Sequence, residues 1–156
     1  MPKPKAAAAS VPLIQIHGIA EPRSLAARER RPVPGLESMY EVTRTGRVWS
    51  AQKKDFMVDG YEVILTIGGK HLYAKTSYLA ALAWLTKEER DEIRSELART
   101  PRDLPKDDKG LEAVAAKYRI SKYAADFVAR MPEEDFRPIV VDEGSKSQIL
   151  PEPARP

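Results

Sequence analysis

The chain has 156 residues, 42% of them hydrophobic, and a formal net charge of +3. That length holds one domain or two small ones with tails, and the hydrophobic share supports a modest core. It has no cysteine, which excludes a disulfide scaffold, a thiolate zinc site and a cysteine nucleophile. No apolar run nears the roughly 20 residues that span a bilayer, so the expectation is a cytoplasmic protein with no membrane partner.

Charge is uneven along the chain. Residues 1–31 hold six Lys/Arg against two Glu, and residues 132–156 hold three Lys/Arg against six Asp/Glu. A basic arm and an acidic tail suggest an electrostatic partner for the arm, and a solvated, partly disordered arm reads equally well. Residues 1–9 combine basic residues and alanines without an apolar stretch, so they do not read as a signal peptide. Residues 1–10 read as disordered. The run from Val11 to Ile19 reads as one edge strand, with Pro12 at its start. Arg23 to Arg31 suggests one or two helical turns capped by Ser24, ended by Pro32 and Pro34.

Tyr40 to Thr43 alternates as a strand, Thr45-Gly46 marks a turn, and Arg47 to Ser50 is the return strand. Ala51 to Asp59 is a polar connection. Tyr61 to Ile67 is rich in β-branched and aromatic residues and is the strongest strand signal in the chain. Gly68-Gly69 is a two-residue hairpin turn, and Lys70 to Thr76 is the partner strand. Ser77 is placed to cap a helix from Tyr78 to Leu85 that is apolar almost all round and so buried. Thr86-Lys87-Glu88-Glu89 is a capping box that opens a charged helix to about Arg99, and Thr100-Pro101 stops it.

Leu111–Tyr118 and Lys122–Met131 read as two helices joined by a tight turn at Arg119-Ile120, with Ser121 as N-cap. Val114, Ala115, Tyr118, Ile120, Ala125 and Val128 fall where a helix-turn-helix buries its packing residues, and the helix before them supplies the third member of a tri-helical unit. Phe136 to Val141 reads as a short strand or a docking segment. The remainder is a Pro-rich, acidic tail expected to be disordered.

Two sets of residues have the chemistry to contact DNA. Arg44 and Arg47 flank the Thr45-Gly46 turn, with Lys53 and Lys54 just after it. These are candidate phosphate contacts, against the plainer reading of a solvated turn. In the second helix of the helix-turn-helix, Ser121, Lys122, Tyr123 and Arg130 form the candidate groove-facing set, with Asp126 as an acceptor and Ala124 and Phe127 as apolar surface. The same tri-helical fold also serves as a protein-docking module. Trp49 reads as a core or interface residue. The lone histidines His17 and His71 read as structural, and paired acids such as Glu88-Glu89 as a capping turn. No phosphate-binding glycine motif or catalytic triad candidate is present.

Pro34-Gly35-Leu36-Glu37, Tyr40-Glu41-Val42-Thr43 and Gly46-Arg47-Val48-Trp49-Ser50 together resemble the nuclease-associated modular DNA-binding motif, of the fourth type, found at the front of phage and intron-encoded HNH homing endonucleases. Gly60 to Leu85 is similar to the segment that comes next in those enzymes, ending in Leu79-Ala80-Ala81-Leu82-Ala83-Trp84. Two departures stand out. Ser77-Tyr78 replaces the family's His-Arg pair, and no His or Asn occurs from Thr86 to Lys109. An HNH site needs a His base and His, Asn or carboxylate metal ligands, and this chain has two histidines and no asparagine. The resemblance covers about a third of the chain. It implies a phage or prophage origin and DNA binding without nuclease activity.

The expected architecture is α+β: a basic arm (1–31), a β-hairpin-rich domain ending in a buried helix (32–85), a tri-helical helix-turn-helix unit (86–131) and an acidic tail (132–156). The expected function is a non-catalytic, cofactor-free phage protein that binds double-stranded DNA and regulates transcription, derived from a homing-endonuclease scaffold. The alternative is a phage factor that docks on a host or phage protein complex of transcription, defence or nuclease machinery, through the terminal arms, Trp49 or Phe127.

Overall fold

Period-two runs in the first half of the chain become antiparallel strands, and most of the second half becomes helices. A computed structural model of the protein describes residues 12–16, 18–98, 109–140 and 147–149, the last three by backbone alone. The fold class is α+β, as read from the sequence. The expected disorder of residues 1–10 and the stop at Thr100-Pro101 lie outside the described residues.

The N-terminal run is a hairpin and not one strand: β1 (Leu13–Ile16) pairs antiparallel with β2 (Ile19–Pro22) because the chain reverses at Gly18. The helix expected over Arg23–Arg31 is reduced to a single 3-10 turn at Leu25–Ala27, and Ser24 makes no side-chain cap. The reason is Arg28, which is buried and donates from Nε to the Pro22 carbonyl at 2.7 Å, beside Glu21. That bond holds the chain in a loop. Arg30–Pro32 then forms β3, and the proline directly after Arg31 biases that residue to extended backbone.

β3 opens a four-stranded antiparallel sheet with β4 (Tyr40–Thr43), β5 (Val48–Ser50) and β6 (Asp55–Phe56). β6 lies where a polar connection was expected. Its cause is an aromatic pair across strands: Phe56 meets Trp49 edge-on at 5.3 Å, and the Arg30 guanidinium sits 4.2 Å from the Trp49 centroid. Trp49 is half-buried by these neighbours. A second sheet joins β7 (Glu62–Ile67) to β8 (Lys70–Lys75) through Gly68-Gly69, burying Val63, Leu65, Leu72 and Ala74. The tail expected to be disordered contributes β9 (Ser147–Ile149), which pairs parallel with the open edge of β8.

Helix α1 (Thr76–Trp84) is buried nearly all round, as its sequence implies. It starts before Ser77, which therefore is not its cap. Lys75 holds the N-cap position without a capping bond from its side chain, which pairs with Glu62 at 3.3 Å, and the Thr76 hydroxyl donates to the Gly60 carbonyl at 3.0 Å. The capping box forms as read and opens α2 (Lys87–Ala98): the Thr86 amide donates to Glu89 Oε1 at 2.8 Å, and the Glu89 amide to Thr86 Oγ1 at 3.1 Å. Helices α3 (Lys109–Tyr118) and α4 (Lys122–Arg130) come next, and the Ser121 hydroxyl caps α4 by accepting from the Ala124 amide at 3.1 Å. Val114, Ala115, Ile120, Ala125 and Val128 are buried as the helix-turn-helix pattern requires, while Tyr118 is half-buried and donates to Glu92 at 2.6 Å. α4 packs on α1, α2 and α3 alike, and one apolar core runs continuously from the sheets into the helices.

Residues 133–140 dock and do not form a strand. Phe136 is buried and stacks on Tyr78 at 5.6 Å. Glu133 accepts from Arg90 at 2.7 Å and from Arg94 at 2.9 Å, and the Ile139 amide donates to the Pro34 carbonyl at 2.9 Å. Gly35, at φ +93°, lies so close beneath this segment that a Cβ there would come within 2.3 Å of the Ile139 carbonyl oxygen. Gly35→Ala therefore meets both a left-handed backbone and a backbone collision. It should lower stability by about 2–4 kcal/mol in urea denaturation.

Hydrogen bonds, first from Arg90, hold the Glu133 carboxyl below its ordinary value of 4.5. A carboxyl depressed on folding adds stability above its unfolded pKa and loses it as pH falls through the folded pKa. The stability gap between the parent and Glu133→Gln should thus be constant near neutral pH. It should narrow once pH drops below 4.5, as followed by denaturation midpoints across pH.

Candidate nucleic-acid interface

The side of the molecule where sheet meets helices is organised by one indole. Trp84, at the end of α1, is buried, and its Nε1–H donates to the Val42 carbonyl of β4 at 2.9 Å. Two guanidiniums pack on that ring: Arg31 of β3 at 4.3 Å and Arg44, just past β4, at 4.2 Å from its centroid. Arg44 also reaches across 75 positions of sequence to donate to the Arg119 carbonyl at 3.1 Å. That carbonyl belongs to the turn residue just past the end of α3. Arg119 itself is exposed and adopts φ +57°, the left-handed residue of the α3–α4 turn.

Arg31, Arg44 and Arg119 are thus drawn from three separate elements and lie close enough to act on one another. Burial, followed by the nearby Arg119, pulls the Arg44 guanidinium below the ordinary arginine value, with Arg31 adding to the effect and Glu29 and Glu21 opposing it. The β4–β5 turn that carries Arg44 is braced. The Arg47 amide donates to the Thr43 hydroxyl at 3.0 Å, the Thr45 hydroxyl bonds Glu21, and Gly46, at φ +93°, sits against Thr76 at the start of α1. Between this turn and the start of α4 lies a polar cavity of about 250 Å³, lined by Thr45, Asp59, Ser77, Ser121 and Tyr123 among others.

The residues read as DNA contacts divide in space. Arg44 reaches the helix-turn-helix turn at Arg119; Lys122 and Tyr123 follow at the start of α4, where Tyr123 lies edge-on to Tyr61 at 6.1 Å, and the Lys122 ammonium is 5.6 Å from the Tyr123 ring. Ser121 is buried as the cap of α4. Arg47 folds the other way, donating to the Met57 carbonyl at 3.3 Å with Nε 3.9 Å from Asp59. Lys53 and Lys54 are exposed at the opposite end of β5 from the turn. Arg130 closes α4 and is paired with Asp126 at 3.0 Å.

Ala124 and Phe127, read as exposed apolar surface, are buried; Phe127 packs 6.0 Å from Tyr78. Phe127 therefore offers nothing to a partner. With α1, α2 and α3 packed around it, α4 leaves only a strip containing Lys122, Tyr123, Asp126 and Arg130 partly open. Arg31 and Arg119 were not singled out by sequence reasoning. Arg31 looked like a helix end, and the one signal for Arg119 was its place in the helix-turn-helix turn.

His71 is exposed, with Nδ1 3.3 Å from the Thr66 hydroxyl, while His17 lies outside the described residues. Among the described residues no group of three or more His, Asp or Glu side chains is placed to hold a metal. No protein-family profile, curated protein or solved structure matches the chain.

Because Arg44 bonds the backbone of Arg119, replacing the Arg119 side chain leaves that tie intact. Arg119→Gly removes a left-handed non-glycine residue and should change stability by no more than about 1 kcal/mol in either direction. Arg44→Ala removes the carbonyl bond and the ring contact and should cost about 1–3 kcal/mol. Denaturant midpoints of the two variants measure the difference.

Proposed function

We propose that this is a non-catalytic double-stranded DNA-binding protein of phage origin that holds the phosphate backbone with Arg31, Arg44, Arg119 and Lys122 and acts in transcription regulation. The single observation that carries the reading is the Arg44 bond to the Arg119 carbonyl. It ties the basic β turn, a DNA-contact candidate, to the turn that precedes the candidate groove-facing helix α4, and so groups Arg31, Arg44 and Arg119. The resemblance of Pro34 to Ser50 to an endonuclease-associated DNA-binding motif supports it. A chain with no asparagine and with neither of its two histidines between Thr86 and Lys109 departs from the residue pattern of an HNH centre, which supports the non-catalytic part.

The mode of contact differs from deep insertion of a recognition helix. A helix packed on three neighbours and capped by a buried Ser121 has little free surface to enter a major groove. Arginines on two rigid turns suit phosphate contacts, which fix orientation and carry little sequence information. Phosphate neutralisation releases counterions, so affinity depends steeply on salt, with a log–log slope of about −0.9 per contact.

Titration of a labelled duplex by fluorescence anisotropy over a range of salt tests this. Four contacts predict a slope of roughly −3 to −4. Arg119→Gly, which should fold normally, and Arg31→Ala should each flatten it by about one, while the pair Lys53→Ala and Lys54→Ala leaves it unchanged. Affinity that is insensitive to salt or to Arg119→Gly overturns the reading, and metal-dependent nicking of a plasmid by the purified protein overturns its non-catalytic part.

A docking function has one specific observation in its favour, a β7 edge with no strand beside it among the described residues, and it is compatible with DNA binding on the arginine surface.

A further inference from the structure

The polar cavity between the β4–β5 turn and α4 draws its walls from separate parts of the chain. Thr45 comes from the turn, Asp59 and Tyr61 from the residues before β7, Ser77 from α1, and Ser121 and Tyr123 from the start of α4. Its volume of about 250 Å³ falls below the roughly 300–1,000 Å³ of sites that take drug-sized ligands. It suits a single planar ring with its substituents. The cavity also lies beside the arginine surface. Thr45 follows Arg44 in the chain, Ser121 comes just after the Arg119 turn, and Lys122 sits between Ser121 and Tyr123.

The Tyr61 side chain is 73% exposed, although its backbone is fixed. The Tyr61 carbonyl accepts from the Thr76 amide at 2.8 Å and from the Thr76 hydroxyl at 3.2 Å. Its ring meets Tyr123 edge-on at 6.1 Å, a contact that covers an edge of one ring and a face of the other. Open π surface therefore remains at the mouth of the cavity. Some polar groups of the lining are already committed: the Thr45 hydroxyl bonds Glu21, and the Thr76 hydroxyl donates to the Gly60 carbonyl. Others keep capacity. Ser121 Oγ accepts from the Ala124 amide and retains its own proton to donate. The Asp59 carboxylate is 76% exposed and stands 3.9 Å from Arg47 Nε, too far for a hydrogen bond, so it can still accept. An open aromatic face with a donor and an acceptor beside it, next to cations suited to phosphate, is the combination that recognises an unstacked nucleobase.

We propose that this cavity takes one unpaired base of the DNA held on the arginine surface, so that the preferred ligand is a duplex interrupted by a bulged nucleotide and not a perfect duplex. The base stacks on Tyr61, Ser121 donates to one of its ring nitrogens or carbonyls, and Asp59 accepts from its amino or imino group. Arg44, Arg119 and Lys122 hold the phosphates that flank it. A base in a perfect duplex must first leave its stack and its partner, whereas a bulged base enters without most of that cost. The proposal rests on the DNA reading and adds to it a class of DNA that phosphate contacts alone do not distinguish.

The test uses the full chain and three labelled duplexes of equal length: one perfect, one with a single bulged deoxyadenosine, and one with a bulged abasic nucleotide. The abasic bulge reproduces the bend and the charge of the other bulge without its base. By fluorescence anisotropy at fixed salt, the base-bearing bulge should bind about tenfold more tightly than either of the others. Tyr61→Ala, at an exposed position, should bring it down to the abasic level, and Tyr61→Phe, which keeps the ring, should not. A readout free of any variant is photo-cross-linking: 5-iodouracil in place of the bulged base should couple to Tyr61 or Tyr123 of the parent protein. Equal affinity for all three duplexes, with salt dependence intact, overturns the proposal and leaves the DNA reading standing. Tighter binding to both bulges alike overturns it in favour of recognition of a bend. Absence of salt-dependent binding to any of the three overturns both readings.

Discussion

The bond from the Trp84 indole to the Val42 carbonyl is the junction on which the rest depends. An indole N–H buried without an acceptor costs the full desolvation of that group, so α1 has few positions against the sheet that satisfy it. With Trp84 set at 2.9 Å from that carbonyl, its ring is presented to Arg31 and Arg44, and Arg44 is in turn aimed at the end of α3. The same contact that joins sheet to helices therefore gathers the arginines. Structure and candidate function share one set of side chains there, with Arg44 serving both as a brace and as a proposed contact beside the exposed Arg31 and Arg119.

A second constraint comes from the position of α4. Ala124, Ala125, Phe127 and Val128 are all buried, because α1 fills the side of the helix that a free-standing tri-helical unit would leave open. That extra layer of packing takes up surface a groove-reading helix uses and leaves the α3–α4 turn as the projecting feature. Residues 133–140 close the opposite side, held by Glu133 between two arginines and by Phe136 on Tyr78. Gly35 beneath Ile139 shows how tightly that segment is laid down.

The arginine surface and the β7 edge rest on different physics. On the first, arginines are drawn together by ring contacts and a backbone carbonyl, with Glu29 and Glu21 offsetting part of their mutual repulsion. At the β7 edge, the outward backbone groups of Ile64 and Glu62 meet no strand among the described residues, and Ile64 and Val58 are exposed. The Tyr40 hydroxyl at Thr66 marks where the fold supplies its own substitute for a strand, and Ile64 marks where it does not.

Much of the fold was legible locally. The Tyr40–Thr43 strand, the Gly68-Gly69 hairpin, the Thr86–Glu89 capping box and the Ser121 cap depend on neighbours within a few residues, and each formed where its pattern placed it. Five of the six helix-turn-helix packing residues are buried as their spacing implies, with Tyr118 half-buried. The failures share a cause. The helix after Ser24 was lost to Arg28 bonding backward to Pro22. β6 was made by Phe56 meeting Trp49 across a strand, and β9 by an edge belonging to residues some seventy positions earlier. Phe127 was buried by Tyr78, a residue of another element. At the candidate site, the sequence alone pointed to Arg44 from its basic turn and to Lys122 from its place at the start of the second helix. Only the tertiary structure decided that Arg44 reaches Arg119, that Arg47 turns away, and that Arg31 joins them. Those outcomes result from which elements pack around Trp84, a contact between residues 42 positions apart that no local pattern encodes.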